Sequence, residues 1–415
     1  MPIFLLLLAA LSARAEYDFP YKDPYYATIT AAILKADDRD TSVSSEDIAI
    51  RLLPERDAVP FFKNRNHTHV RLWAQKHTRP APLMILVAGL GGGSNSSYLN
   101  FMAYHFHKQG FHVLSFPSAF HWSFALAASK SAYPGITRED ARDLYTLMQA
   151  AVGKLKQSKY SISKIGLLGA SMGALEAGYV ASLDKKEKKI GFQRTLLINP
   201  PVDVLYGIRK LDELYFEGSK LSAEQLKSLS TRVYDFGYFS LVEGDIKSPY
   251  YFADIENRLP LSQTERRFLI GQSLREFLQS LIFTTQQIDD RGILKSPISG
   301  WNPSPRMQEA AGYLFQDYIE KFLLPALSEQ NGKELKVDDL IGDANLSGIE
   351  SELRADKNIF LMHNADDFIV NKEHLDYLRS IFGNRMQLYP HGGHVGNIWY
   401  PENLAEILAK FQELR

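Results

Sequence analysis

A serine framed by small residues at the end of an apolar run constrains this chain more than any other stretch. Gly169-Ala170-Ser171-Met172-Gly173 directly follows Ile165-Gly166-Leu167-Leu168. The pair of segments reads as a buried strand turning sharply into a helix, with Ser171 at the corner. Small flanking residues suit a tight turn with a crowded backbone, and a hydroxyl held there stands clear of the sheet, where it can attack a carbonyl.

A corner of this kind needs a parallel sheet around it, and the apolar runs supply one. Strands are expected at Asp47–Leu53, His69–Ala74, Leu83–Val87, His112–Phe116, Ile165–Leu168, Thr195–Asn199, Asn358–Met362 and Met386–Tyr389. Continuous apolar runs separated by helical segments point to strands covered on both faces. Thr137 with Asp140 three residues later resembles a helix start, and the helix should run toward Val152. From about Pro201 to Ala355 the texture changes to helix without strands. Ser222–Gln225 and Ser262–Glu265 have the form of capping boxes. Leu274, Phe277, Leu278, Leu281 and Ile282 are spaced as one buried helix face, as are Met307, Ala311, Leu314, Phe315, Tyr318 and Phe322. Because strand-like runs resume afterwards, this region reads as a helical cap inserted late in the sheet. The chain then divides into a leader (1–15), a first core segment (16–200), the cap (201–355) and a second core segment (356–415).

A serine hydroxyl is a poor nucleophile until a base takes its proton, an acid orients that base, and donors stabilise the negative oxygen that forms. His394, in His391-Gly392-Gly393-His394-Val395-Gly396, is the candidate base, its glycines allowing the loop to arch over the sheet edge; His391 is the rival. The candidate acid is Asp367, in the loop after Asn358–Met362, with Asp366 adjacent and Asp203 more distant. The donors would be the backbone N–H groups of Met172, at the positive end of the following helix, and of Leu90 or its neighbour Gly91 in Ala88-Gly89-Leu90-Gly91-Gly92-Gly93. That glycine loop lacks both the Lys-Ser/Thr ending of a P-loop and the spacing of a dinucleotide fingerprint. Aromatic residues after His112–Phe116, His121 and Trp122 among them, are candidates to line a substrate pocket or to pack under the cap.

With the order Ser, Asp, His and the strand–turn–helix context, the chain resembles the α/β-hydrolase superfamily, close to bacterial serine esterases and serine-aminopeptidase-like hydrolases. The resemblance covers about 82–182 and 358–415. It implies an α/β fold: a mostly parallel eight-stranded sheet, helices on both faces, and a large helical cap between strands six and seven. It also implies a Ser171–Asp367–His394 triad, an oxyanion hole from Leu90 and Met172, and no cofactor. Two residues depart from the common pattern. Ala88 stands where many relatives carry histidine, and Asn364 where many carry glycine. The expected activity is hydrolysis of carboxylic esters through an acyl-enzyme, with amide, peptide and thioester substrates open to the same machinery. A non-catalytic binding protein of the same fold is the alternative from another class.

Composition narrows the partners. The 47 basic and 48 acidic residues of the 415 leave a formal charge of -1, which gives no electrostatic reason to expect nucleic acid or an anionic membrane surface. The expected partner is a small ester or acyl substrate. There is no cysteine, which excludes disulfides, thiolate metal sites and a cysteine nucleophile. His391-x-x-His394 and His105-x-His107 do not have the pairing of a helical metalloprotease site, and no metal is expected. Residues 1–15, MPIFLLLLAALSARA, read as a secretory leader with a small-x-small cleavage site at Ala13-Arg14-Ala15. Its apolar stretch is too short to span a bilayer, so the expected mature protein is periplasmic or secreted without a stable membrane span.

Overall fold

A computed structural model describes residues 17–34, 40, 42–63, 65–75, 80–158, 160–242 and 253–415. The leader assigned to 1–15 lies outside the described residues. Eight strands form one sheet: β1 (Glu46–Ile50), β2 (Thr68–Trp73), β3 (Ala81–Val87), β4 (His112–Phe116), β5 (Ile162–Ala170), β6 (Phe192–Ile198), β7 (Ile359–Asn364) and β8 (Met386–Tyr389). Their spatial order is β1-β2-β4-β3-β5-β6-β7-β8. β2 pairs antiparallel with β1 and β4; every other neighbouring pair is parallel. All eight expected strands are present, with ends shifted by a few residues.

The central strands are apolar throughout because both faces are covered. Ile85, Val87, Leu167 and Leu197 enter the core on one face, and Met84, Leu86, Leu168 and Leu196 enter the core on the other. Helices α1 (Pro24–Ala32), α2 (Ser97–Lys108), α3 (Trp122–Ala127), α4 (Thr137–Gln157) and α5 (Met172–Glu187) precede or connect these strands. Between β6 and β7 the described chain is helical without strands, its main helices being α6 (Val204–Phe216), α7 (Ala223–Val242), α8 (Gln263–Ile288) and α9 (Val337–Ala344). α8 packs against both α6 and α3, so the inserted helices rest on the same body as the sheet. After β7 come α10 (Lys372–Phe382) and α11 (Pro401–Ala409).

Three local expectations need correction. Thr137 is not the cap of α4: that position is Ile136, and the Thr137 hydroxyl donates to the Ala344 carbonyl at 2.7 Å. Asp140 instead accepts from the Gly135 N–H at 2.8 Å, so the acid grips the chain before the helix without a hydroxyl partner. Phe277 does not share the buried face of α8. It is 40% exposed and presses on Gly91, while Leu278, Leu281 and Ile282 are buried. The apolar positions from Met307 to Phe322 do not lie on one helix. A helix over Ser304–Ala310 ends, Leu314 is extended, and a short turn at Phe315–Asp317 leads into a wider-wound segment over Tyr318–Leu323. Phe315, Tyr318 and Phe322 are nonetheless buried, because the turn redirects the chain without changing what it packs on. The boxes at Ser262–Glu265 and Ser222–Gln225 form reciprocal hydrogen bonds as expected.

Candidate active site

Ser171 sits between the end of β5 and the start of α5 with φ 56° and ψ -129°. A side chain rarely adopts this region, and such strain persists only where the surroundings fix it. Here they do. The Ser171 N–H donates to the Ile198 carbonyl at 2.8 Å, and the Ser171 carbonyl accepts from Ala174 and Leu175. The corner closes only with glycine on both sides. A Cβ at Gly169 would stand 2.0 Å from the Gly173 carbonyl oxygen, and one at Gly173 would stand 2.3 Å from that of Ala88.

Three distant side chains meet at this corner. His394 Nε2 is 2.7 Å from Ser171 Oγ. His394 Nδ1 is 2.9 Å from one Asp367 oxygen and 3.2 Å from the other. Asp367 is fully buried and also accepts from Asn199 Nδ2 at 2.7 Å and from the Ile369 N–H at 3.1 Å. Burial pushes its carboxyl up, but His394, with His363 and the Ile369 N–H adding to it, outweighs that and holds it below the usual aspartate value. The neighbouring His363 is buried, and burial holds its imidazole below the ordinary value.

The open alternatives from the sequence occupy other places. Asp366 accepts from the Gly392 and Gly393 N–H groups at 3.2 and 2.9 Å, tying down the histidine loop from below. Asp203 caps α6 by accepting from the Tyr206 N–H. His391 offers its carbonyl to Asn397, and His105 packs on Phe101. Asn364, which stands in place of a common glycine, donates to the Gly393 carbonyl at 2.8 Å and exchanges hydrogen bonds with Asn397. The departure from pattern therefore braces the histidine loop.

Leu90 and Met172 both line the cavity at Ser171, whereas Gly91 does not. Among the described residues neither the Leu90 nor the Met172 N–H has a hydrogen-bond partner, so both are free to meet an incoming oxygen. The loop of Leu90 is held by a chain of contacts that the sequence did not reveal. The Gly92 carbonyl accepts from the Ser118 N–H at 2.9 Å, and Glu176, on α5, accepts from the Ala119 N–H at 3.3 Å. Burial, reinforced by nearby Asp140, raises the Glu176 carboxyl well above its ordinary value.

The site opens into a cavity of about 710 Å³. Its walls come from α1, α6, α8 and α9, with Ile29, Ile208, Leu211, Leu274 and Ile341 among them. No Asp, Glu, Lys or Arg is among the described residues that line it. His121 does line it, and burial lowers that imidazole to about 4, so it is uncharged at neutral pH. Trp122 does not: half-buried, it stacks on Phe62 at 5.8 Å and packs against the core. Among the described residues there is no group of three His, Asp or Glu side chains placed to hold a metal, and no helix is long and apolar enough to cross a membrane.

The sheet order, the strained corner after the fifth strand and the late helical insertion decide the architecture. The fold is that of an α/β-hydrolase. No protein-family model and no curated protein matches the chain. Among solved structures it is similar to esterase B from Lactobacillus rhamnosis, at 12% identity over 94% of this chain and 90% of that one, with a TM-score of 0.44. It is also similar to the Pyrococcus furiosus esterase Pf2001, at 14% identity over 91% and 93% of the two chains (TM-score 0.42). A third is brefeldin A esterase, described as a bacterial homologue of human hormone-sensitive lipase, at 11% identity over 94% and 80% (TM-score 0.42).

Proposed function

We propose that the protein is a serine hydrolase of carboxylic esters whose acyl or alcohol part is apolar and uncharged. The observation that carries this reading is the continuous relay from Ser171 Oγ through His394 to Asp367, with bonds of 2.7 and 2.9 Å, opening into a large cavity with no charged side chain among the described residues that line it. His394 Nε2 accepts the serine proton as Oγ attacks the acyl carbon. Asp367 keeps Nδ1 protonated and stabilises the imidazolium. The oxyanion is received by the Leu90 and Met172 N–H groups, and losing one such donor typically costs about 3 kcal/mol of barrier. His394 then protonates the leaving alcohol, and water, deprotonated by the same nitrogen, releases the acid.

A cavity whose described walls carry no charge favours esters over peptides, whose termini and side chains would bring unpaired charge into it. The test is Ser171→Ala in the full chain, assayed on p-nitrophenyl esters and with a fluorophosphonate probe. Turnover is expected to fall by about 10⁴-fold or more, with the probe no longer attached. Undiminished turnover in that variant removes the assignment. A panel of ester, thioester and aminoacyl-amide substrates then reads the subclass, and ester turnover is expected to dominate.

A further inference from the structure

The residues before the sheet, 17–34, pack against the histidine loop along its length. Phe19 lies 5.8 Å from the Trp399 ring, and the Tyr17 hydroxyl donates to Asn403 at 2.8 Å and accepts from Asn397 at 3.0 Å. Thr30 Oγ1 donates to the Gly396 carbonyl and accepts from Trp399 Nε1, both at 2.8 Å. The tightest approach is at the histidine itself. The His394 N–H donates to Thr28 Oγ1 at 2.8 Å, and the Thr28 hydroxyl donates its own proton to the Pro24 carbonyl at 2.7 Å. That second bond turns a lone pair of the hydroxyl toward residue 394.

The glycines of the loop have their explanation here. A Cβ on Gly393 would stand 2.1 Å from the Pro24 carbonyl oxygen, and one on Gly396 would stand 2.0 Å from that of Ala27. They are small because α1 lies on them. On the side chain's flank, Tyr25 stacks on Phe368 at 5.3 Å, and Phe368 lies 5.9 Å from the His394 ring. The same segment reaches the cap: Asp23 pairs with Arg266 at 3.1 Å, and the Tyr26 hydroxyl accepts from the Leu261 N–H at 2.7 Å.

We propose that residues 17–34 form a positioning arm for the catalytic histidine, acting chiefly through the hydrogen bond from the His394 N–H to Thr28. This rests on the reading of Ser171 and His394 as nucleophile and base. Asn364 and Asp366 hold the loop at Gly392 and Gly393 from the β7 side, but they bond no atom of residue 394. Thr28 is the side chain that bonds its backbone. Without that acceptor the N–H is left unpaired against α1, and the loop must shift to satisfy it. A shift of even part of an ångström lengthens the Nε2–Oγ contact on which serine activation depends.

The test uses Thr28→Val, which keeps the shape and removes the acceptor, and Thr28→Ser, which restores it. Fluorophosphonate labelling rate, kcat, KM and melting temperature are measured on the full chain. Thr28→Val is expected to slow labelling and lower kcat by about 10- to 100-fold while KM stays within about twofold, since the isosteric side chain keeps the shape of the cavity wall to which Thr28 belongs. Thr28→Ser should return both to within roughly threefold of the parent, because the hydroxyl acceptor is again present. If Thr28→Val labels as fast as the parent and only melts earlier, Thr28 is structural and the proposal fails. Should Thr28→Val not fold, Tyr25→Ala, which removes the ring that stacks on Phe368 and lies under Arg267, takes its place. A several-fold slower labelling supports the arm, and an unchanged rate overturns it. A parent protein that the probe does not modify at Ser171 overturns the reading of the site, and the positioning role with it.

Discussion

Adjacent acids in one loop do unlike work here, and the difference is set by what each faces. Asp367 points to an imidazole and is buried; Asp366 points to two backbone N–H groups. Sequence alone does not separate them, because both sit in the same turn after the same strand. Asp367→Asn is expected to lower kcat by about 10⁴-fold with the fold intact, since an amide favours the wrong imidazole tautomer. Asp366→Asn should act on loop placement, with a smaller loss in kcat read on the same ester. Glu176 offers a pH test of a different sign. One of its oxygens has no partner among the described residues, and burial raises its carboxyl well above the ordinary value. An acid whose folded value is raised adds stability that is complete below its unfolded value and declines as pH rises toward the folded one. The parent should therefore lose stability from about pH 4.5 upward relative to Glu176→Gln, by about 1.4 kcal/mol for each pH step up to the folded value. Melting temperatures of the two proteins across pH 4 to 9 read this directly, and parallel curves would mean that Glu176 is ionised in the folded protein.

Among the elements, those with an unambiguous period were legible and those defined by a neighbour were not. β3, β5 and β6 are covered on both faces, so their apolar runs stand out without any partner being known. The corner at Ser171 was equally readable, since only small residues fit it. Gly173→Ala makes that argument measurable: the new methyl meets the Ala88 and Val87 carbonyl oxygens, so α5 must lift from β3. A destabilisation of roughly 1–3 kcal/mol in the denaturant midpoint is expected, with slower Ser171 labelling. What the sequence did not disclose depends on tertiary contact. Asn199 follows a strand and looks like its end, yet it is a ligand of Asp367 because β6 lies between β5 and β7. The glycines around His394 suggested a loop free to arch, whereas they record the passage of α1. The break near Leu314 was invisible because its buried residues keep a helical spacing across a turn.

For the whole molecule, the helices between β6 and β7 and the arm at residues 17–34 share the task of closing one apolar chamber over the sheet. Its volume and the lack of charge among the described residues that line it argue for selectivity by length. Over a series of p-nitrophenyl alkanoates, kcat/KM should rise by up to roughly fourfold per added methylene, equivalent to about 0.8 kcal/mol each, until the chamber is filled. Leu340→Trp, on the α9 wall, should move the optimum to shorter chains and leave the shortest ester turned over at a similar rate. An optimum that stays in place would show that the acyl chain lies elsewhere. Cleavage of the leader after Ala15, as the sequence suggests, would leave the described contacts of the arm in place, since the first of them are made by Tyr17.

Thr30 meets Gly396 across 366 residues, and Tyr17 meets Asn403 across 386. During synthesis the first of each pair must wait for the last. Much of the sheet is made before the loop that carries the imidazole, and that loop closes onto a segment made 366 residues earlier. Ser171 and His394 therefore meet only after the loop carrying the imidazole has been made, 223 residues later, and on the proposed reading a chain cut short before that loop lacks its base.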